Sequence, residues 1–170
     1  MSDNHHPLSP SSYPAWSLCP HYEGGAPNAD TTAGTIAHEL LYKAFEGQID
    51  LVNDYDISDT DKDTLFFVRH AFIGINALIE ELFNGNSPWD RFHEVLTTSE
   101  TLPHKPFGTV DILAERDHHL VVIDYKHRFS DRDYLPQLAA YASMAADSQF
   151  PTSERITLAV WYGDTGTCWI

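Results

Sequence analysis

The sequence is short of cysteine, of basic residues and of long apolar runs, and each shortage excludes something. Only Cys19 and Cys168 are present, so no disulfide framework can be drawn and a reducing compartment is expected. No apolar stretch reaches the roughly 18 residues that a membrane span needs. The opening residues, MSDNHHPLSPSSYPAW, lack the basic-then-apolar order of a signal peptide, so a cytoplasmic location is the expectation. A Walker-type glycine-rich loop is absent. His5, His6, Cys19 and His21 lack the CxxC or HxxxH spacing of a zinc site.

Basic residues are the third shortage. Ten Lys and Arg stand against 25 Asp and Glu, a formal net charge of −15. Affinity for nucleic acid rests mostly on Lys and Arg meeting phosphate, so the balance alone argues against such a partner. It favours a basic protein partner instead, and makes the acidic surface a candidate face for homo-oligomer or partner contacts. The charge is uneven, however. Residues 1–64 hold eleven acids and two bases, Lys43 and Lys62, whereas six of the ten bases lie from Lys105 onward. An anionic ligand should therefore meet the second half of the chain.

What is present is an ordinary globular composition: 170 residues, 42% hydrophobic and 21% charged, enough for one domain with a buried core. Residues 1–30, rich in Pro, Ser, Gly and Asn, read as an irregular arm packed on a single domain at 31–170. TTAGTIAHELLYKAFEG reads as a helix with Ile36, Ala37, Leu40, Leu41, Ala44 and Phe45 on one face and Gly47 as its stop. Gly34 would let its start approach another backbone closely. Six Asp between Asp50 and Asp63 mark a solvated loop, and Ser58 with Asp61 resembles a capping box for a second, long amphipathic helix. FHEVLTTSETL alternates as a strand, GTVDILAERDHHLVVIDYKH as a hairpin, 135–147 as a helix and RITLAVWY as a strand. The fold class is thus α/β (α+β), a mixed sheet flanked by helices.

Asp111 inside one hairpin strand, with Asp124 and Lys126 closing the other, is odd, because strand interiors are depleted in Asp. A turn at Asp117 and His118 pairs Arg116 with His119. Counting back sets Asp111 opposite Asp124, with Lys126 on the same face. Two carboxylates so placed repel, and a hard divalent cation is the usual remedy. His38 inside the first helix, and Gln137 with Tyr141 at i and i+4 on the helix after the hairpin, are the other chemistry-bearing residues in the series.

GTIAH, GTVD, VVIDYK and QLAAY, in that order, resemble the RecB-like branch of the PD-(D/E)XK nuclease superfamily, including phage-encoded members and nuclease domains of bacterial recombination enzymes. SLCP ahead of the His helix fits as well, and the likeness spans about residues 9–162. It implies a restriction-endonuclease-like core in the order α-β-β-β-α-β, and a DNase, an exonuclease in phage recombination or DNA processing. Asp111 and Asp124 would be carboxylate ligands of Mg²⁺ or Mn²⁺, joined by His38 and the Tyr125 carbonyl. Lys126 would act on the attacking water, Gln137 and Tyr141 would place the substrate phosphate, and Glu100 matches a further acidic position. Relatives with an iron–sulfur cluster need three cysteines near the C-terminus. Only Cys168 is there, so no cluster is expected. The rival reading is a catalytically silent nuclease fold whose acidic surface docks a basic partner.

Overall fold

A computed structural model describes residues 29–53, 60–85, 90–101 and 107–169. The elements are α1 (Ala29–Phe45), α2 (Lys62–Leu82), β1 (Asp90–Thr98), β2 (Phe107–Arg116), β3 (His119–Lys126), α3 (Leu135–Ser148), β4 (Arg155–Tyr162) and β5 (Thr167–Trp169). One five-stranded sheet runs in the order β1-β2-β3-β4-β5. The first three strands form an antiparallel meander, β4 runs parallel to β3, and β5 folds back antiparallel at the edge. The parallel pair needs a crossover, which α3 supplies. This is the α+β architecture of a restriction-endonuclease-like core, with β5 added.

Two apolar layers hold the sheet. On one face Ile112, Ala114, Val121, Ile123 and Tyr125 meet α1 and α2 through Leu40, Leu41, Val68 and Ile75. On the other, Leu113, Leu120, Val122 and Val160 meet α3 through Leu138, Tyr141 and Met144. β3 is buried along both faces, which explains its unbroken Leu-Val-Val-Ile run. α2 starts where Asp61 accepts a hydrogen bond from the Thr64 N–H at 2.9 Å. The cap is Asp61 itself, and Ser58 lies outside the described residues. Gly74, within α2, faces the Trp161 ring so closely that a Cβ there would overlap it. Among the described residues, nothing lies within 4 Å of where a Cβ on Gly34 in α1 would stand. α1 begins inside the segment expected to be an irregular arm, most of which, with Cys19 and His21, lies outside the described residues.

The β2–β3 turn consists of two residues, Asp117 (φ 49°) and His118 (φ 65°), both left-handed as this tight hairpin requires. Arg116 pairs with His119 as counted from sequence, and the register continues to Ile112 with Ile123. There the ladder stops, one residue short of the expected Asp111–Asp124 pair. On the other side, β1 pairs His93 with Ile112 and Val95 with Val110, leaving Glu94 and Asp111 between them unpaired, with Glu94 at φ 49°. Alternation also slips here: Val110 and Leu113 share the α3-side core while Ile112 faces α1 and α2. Asp111 is thus released from the regular sheet, and its carboxylate is free to turn.

Candidate active site

The carboxylate of Asp111 turns toward α1. Its Oδ1 lies 3.3 Å from His38 Nδ1, and its Oδ2 accepts the Tyr125 backbone N–H at 2.7 Å. Glu94 joins from β1, with Oε1 3.9 Å from the same histidine nitrogen. One ligand atom from each of His38, Glu94 and Asp111 lies within 4.8 Å of the others, and all three side chains are partly exposed. Next to Glu94, His93 is turned away and stacked on Phe45 at 4.5 Å.

A second group continues the α3 face of β3 beyond Leu120 and Val122. Asp124 is nearly buried, at 3% exposure. Its Oδ1 accepts from Gln137 Nε2 at 2.9 Å, and its Oδ2 forms an ion pair with Lys126 Nζ at 2.7 Å. Gln137 sits in the first turn of α3, so the helix start aims its amide at the strand end. Tyr141, one turn on, is packed in the α3-side core. Gly163 lies directly behind: its N–H donates to the Lys126 carbonyl at 2.8 Å, and a Cβ there would stand 2.6 Å from the Tyr125 hydroxyl oxygen.

Electrostatics distinguish the two groups. Burial pushes Glu94 up, and the neighbouring Asp111 adds to it, to about 7. Burial also acts against a charged Asp111, but His38, Lys126 and the Tyr125 N–H outweigh it, so the carboxyl titrates below its ordinary range. His38 is raised in return, since Asp111 overcomes the effect of burial. Asp124 is raised, chiefly by burial, against the opposing pull of Lys126. Burial would lower Lys126, yet Asp124 and Asp111 more than offset it and the ammonium stays charged.

Of the residues singled out from sequence, His38, Asp111, Asp124, Tyr125, Lys126 and Gln137 therefore come together where the β2–β3 ladder stops, at the end of β3. Asp124 is not among the three clustered ligand atoms, because its oxygens face Lys126 and Gln137. Glu100 is exposed beyond the end of β1, where its backbone N–H serves Asp147. The acid that β1 contributes is Glu94, six residues earlier, which sequence reading passed over. A family model described as the PD-(D/E)XK nuclease superfamily matches residues 8–166. The chain belongs to the PD-(D/E)XK nuclease superfamily. A search of curated proteins gives no match. Nucleases of this superfamily act on DNA and generally use divalent metals. The donor set fits that requirement: one imidazole and two carboxylates converge, and burial together with Asp111 makes Glu94 resist ionisation.

Proposed function

We propose that the protein is a metal-dependent deoxyribonuclease of the RecB-like branch, hydrolysing DNA phosphodiester bonds as an exonuclease in phage recombination or DNA processing. The observation that carries this reading is the Lys126–Asp124 ion pair held beside the His38–Glu94–Asp111 cluster. His38, Glu94 and Asp111 would hold Mg²⁺ or Mn²⁺, with Asp124 and the Tyr125 carbonyl as further donors. Such a cation supplies positive charge to the phosphoryl oxygens and acidifies water.

The remaining steps belong to side chains. Lys126 presents a charged ammonium where negative charge grows on the phosphorus centre, and Asp124 fixes its direction. Gln137 donates to the other Asp124 oxygen and so orients the carboxylate. Tyr141 supports the turn of α3 that carries Gln137. The N-terminal half carries the larger share of the net charge, and Lys126, Arg128 and Arg132 gather near the strand end, where the phosphate would lie.

End-labelled linear DNA and closed circular DNA, each incubated with Mg²⁺ or Mn²⁺, test the proposal. Loss of label from linear DNA with the circle intact is expected of an exonuclease. No cleavage of either DNA in either metal overturns the enzymatic reading and leaves the acidic docking module standing.

A further inference from the structure

A cleft of about 400 Å³ opens on the α3 side of the sheet, next to the Lys126–Asp124 ion pair. Leu138, Leu158 and Val160 line it with aliphatic surface, and Tyr134 and Tyr162 bring aromatic rings to it. Phe129 and Leu135 also line it and are 49% and 60% exposed, large apolar side chains left facing water. The wall is held in place: the Phe129 N–H donates to Asp164 at 2.8 Å, and the Tyr162 hydroxyl donates to the Ser130 carbonyl at 3.3 Å. The Phe129 and Tyr162 rings lie 5.1 Å apart, and those of Tyr134 and Tyr162 lie 6.3 Å apart.

Charge says which part of a nucleotide fits. Asp131 and Asp133 line the same cleft, and Asp133 is committed to the Leu135 N–H at 2.9 Å. A phosphate there would meet two acids and hydrocarbon, with Arg132 the one basic residue of the lining. Cations stand instead around Tyr134: Lys126 Nζ is 5.1 Å from its ring and the Arg132 guanidinium 5.2 Å. The arrangement offers aliphatic and aromatic wall to a flat, uncharged ring, and gathers its cations at Tyr134, where an anion would lie. A nucleotide has the same two parts, and bases stack on aromatic side chains whatever their identity.

We propose that this cleft takes one unpaired nucleobase of the DNA strand whose phosphate lies at Lys126, so that the substrate class is a single strand or a frayed end. The proposal rests on the nuclease reading and narrows it. A base still paired in a duplex cannot enter without leaving its stack.

The test uses the full chain and a short single-stranded oligodeoxynucleotide carrying 2-aminopurine at successive positions, in EDTA and in Ca²⁺, read by anisotropy and by aminopurine emission. One position is expected to change its emission on binding. Phe129→Ala, at a half-exposed position, should weaken binding about tenfold to a hundredfold, and Phe129→Trp should retain it. A blunt, GC-rich duplex with its bases paired to both ends should bind wild type and Phe129→Ala alike. Equal affinity of wild type and Phe129→Ala for the single strand overturns the proposal, as does unchanged emission at every position or no binding at all. Cleavage assays on wild type separate the two ideas. A nuclease whose single-strand binding ignores Phe129 loses only the cleft, whereas aminopurine signals without cleavage in Mg²⁺ or Mn²⁺ remove the nuclease and keep the cleft.

Discussion

The two ends of β3 both bury polar side chains, and they do so in opposite ways. At the turn end, His119 is 7% exposed, its Nε2 is 2.9 Å from Thr157 Oγ1, and burial with Arg155 nearby keeps its pKa low. A neutral imidazole with one neutral partner is a settled arrangement. At the other end, Asp124, Lys126, Asp111, His38 and Glu94 push one another's pKa values both up and down. Burial alone therefore does not mark a working site. Opposed charges crowded at an opening do, because that field is useful only when something else arrives to balance it.

The sharpest break of this contrast is removal of charge at the open end. Lys126→Ala should lower cleavage by about 10²–10³ or more while Mn²⁺ still binds, since a like charge near the cation is gone. Asp111→Asn should lose metal binding and cleavage together, and Lys126→Arg should not restore the rate, a planar fork replacing a compact ammonium. Calorimetry with Mn²⁺ beside a cleavage assay checks all three. A wild-type rate in Lys126→Ala would show that DYK merely ends a strand.

Glu94→Gln tests the crowding itself. With its folded pKa near 7 against an ordinary 4.5, Glu94 contributes stability that is complete below about pH 4.5 and lost as pH rises through 7. In EDTA the variant should therefore be more stable than wild type at pH 8.5, by about 1–3 kcal/mol, with the difference shrinking toward zero below about pH 4.5. Saturating Mn²⁺ should reverse the order at pH 8.5. Urea denaturation across this pH range measures this, and a pH-independent difference would remove Glu94 from the cluster.

Metal binding should also carry protons away. Because His38 is raised and Glu94 sits near 7, Mn²⁺ binding at pH 6.5 should release roughly one proton, seen as a buffer-dependent heat. The smallest effect belongs to the settled end. His119→Gln should cost about 1 kcal/mol at pH 7 through its hydrogen bond and leave cleavage unchanged. Since the folded pKa of His119 lies below 6.5, wild type should lose a little stability as pH falls beneath that value, and the variant should not.

Much of this was legible in the residues because hairpin counting is local. Two turn residues set Arg116 opposite His119, and the apolar run of β3 delivers Asp124 and Lys126 to its end. Gln137 was legible for the same reason, being in the first turn of a helix whose start Pro136 marks. Glu94 was not, because FHEVL alternates like any strand and nothing in the letters announces a left-handed glutamate. Its place opposite Asp111 depends on the β1–β2 register, which the length of the connection does not determine, so the acid at the strand end, Glu100, looked equally suitable. Ile36 and Phe66 repeat the lesson on helices: both fall in apolar patterns, and at 38% and 55% exposure both face outward.

Gly163 has one more consequence, for engineering. It touches no charge of the site, yet a methyl group there would press on the Tyr125 phenol and the His127 carbonyl, 2.6 and 3.0 Å away. The Tyr125 backbone amide is what steadies Asp111. A library at position 163 would therefore act as a fine adjustment from behind, shifting the carboxylate without altering any group that faces the opening. Variants with changed metal preference and the original reactive residues are the ones to seek there.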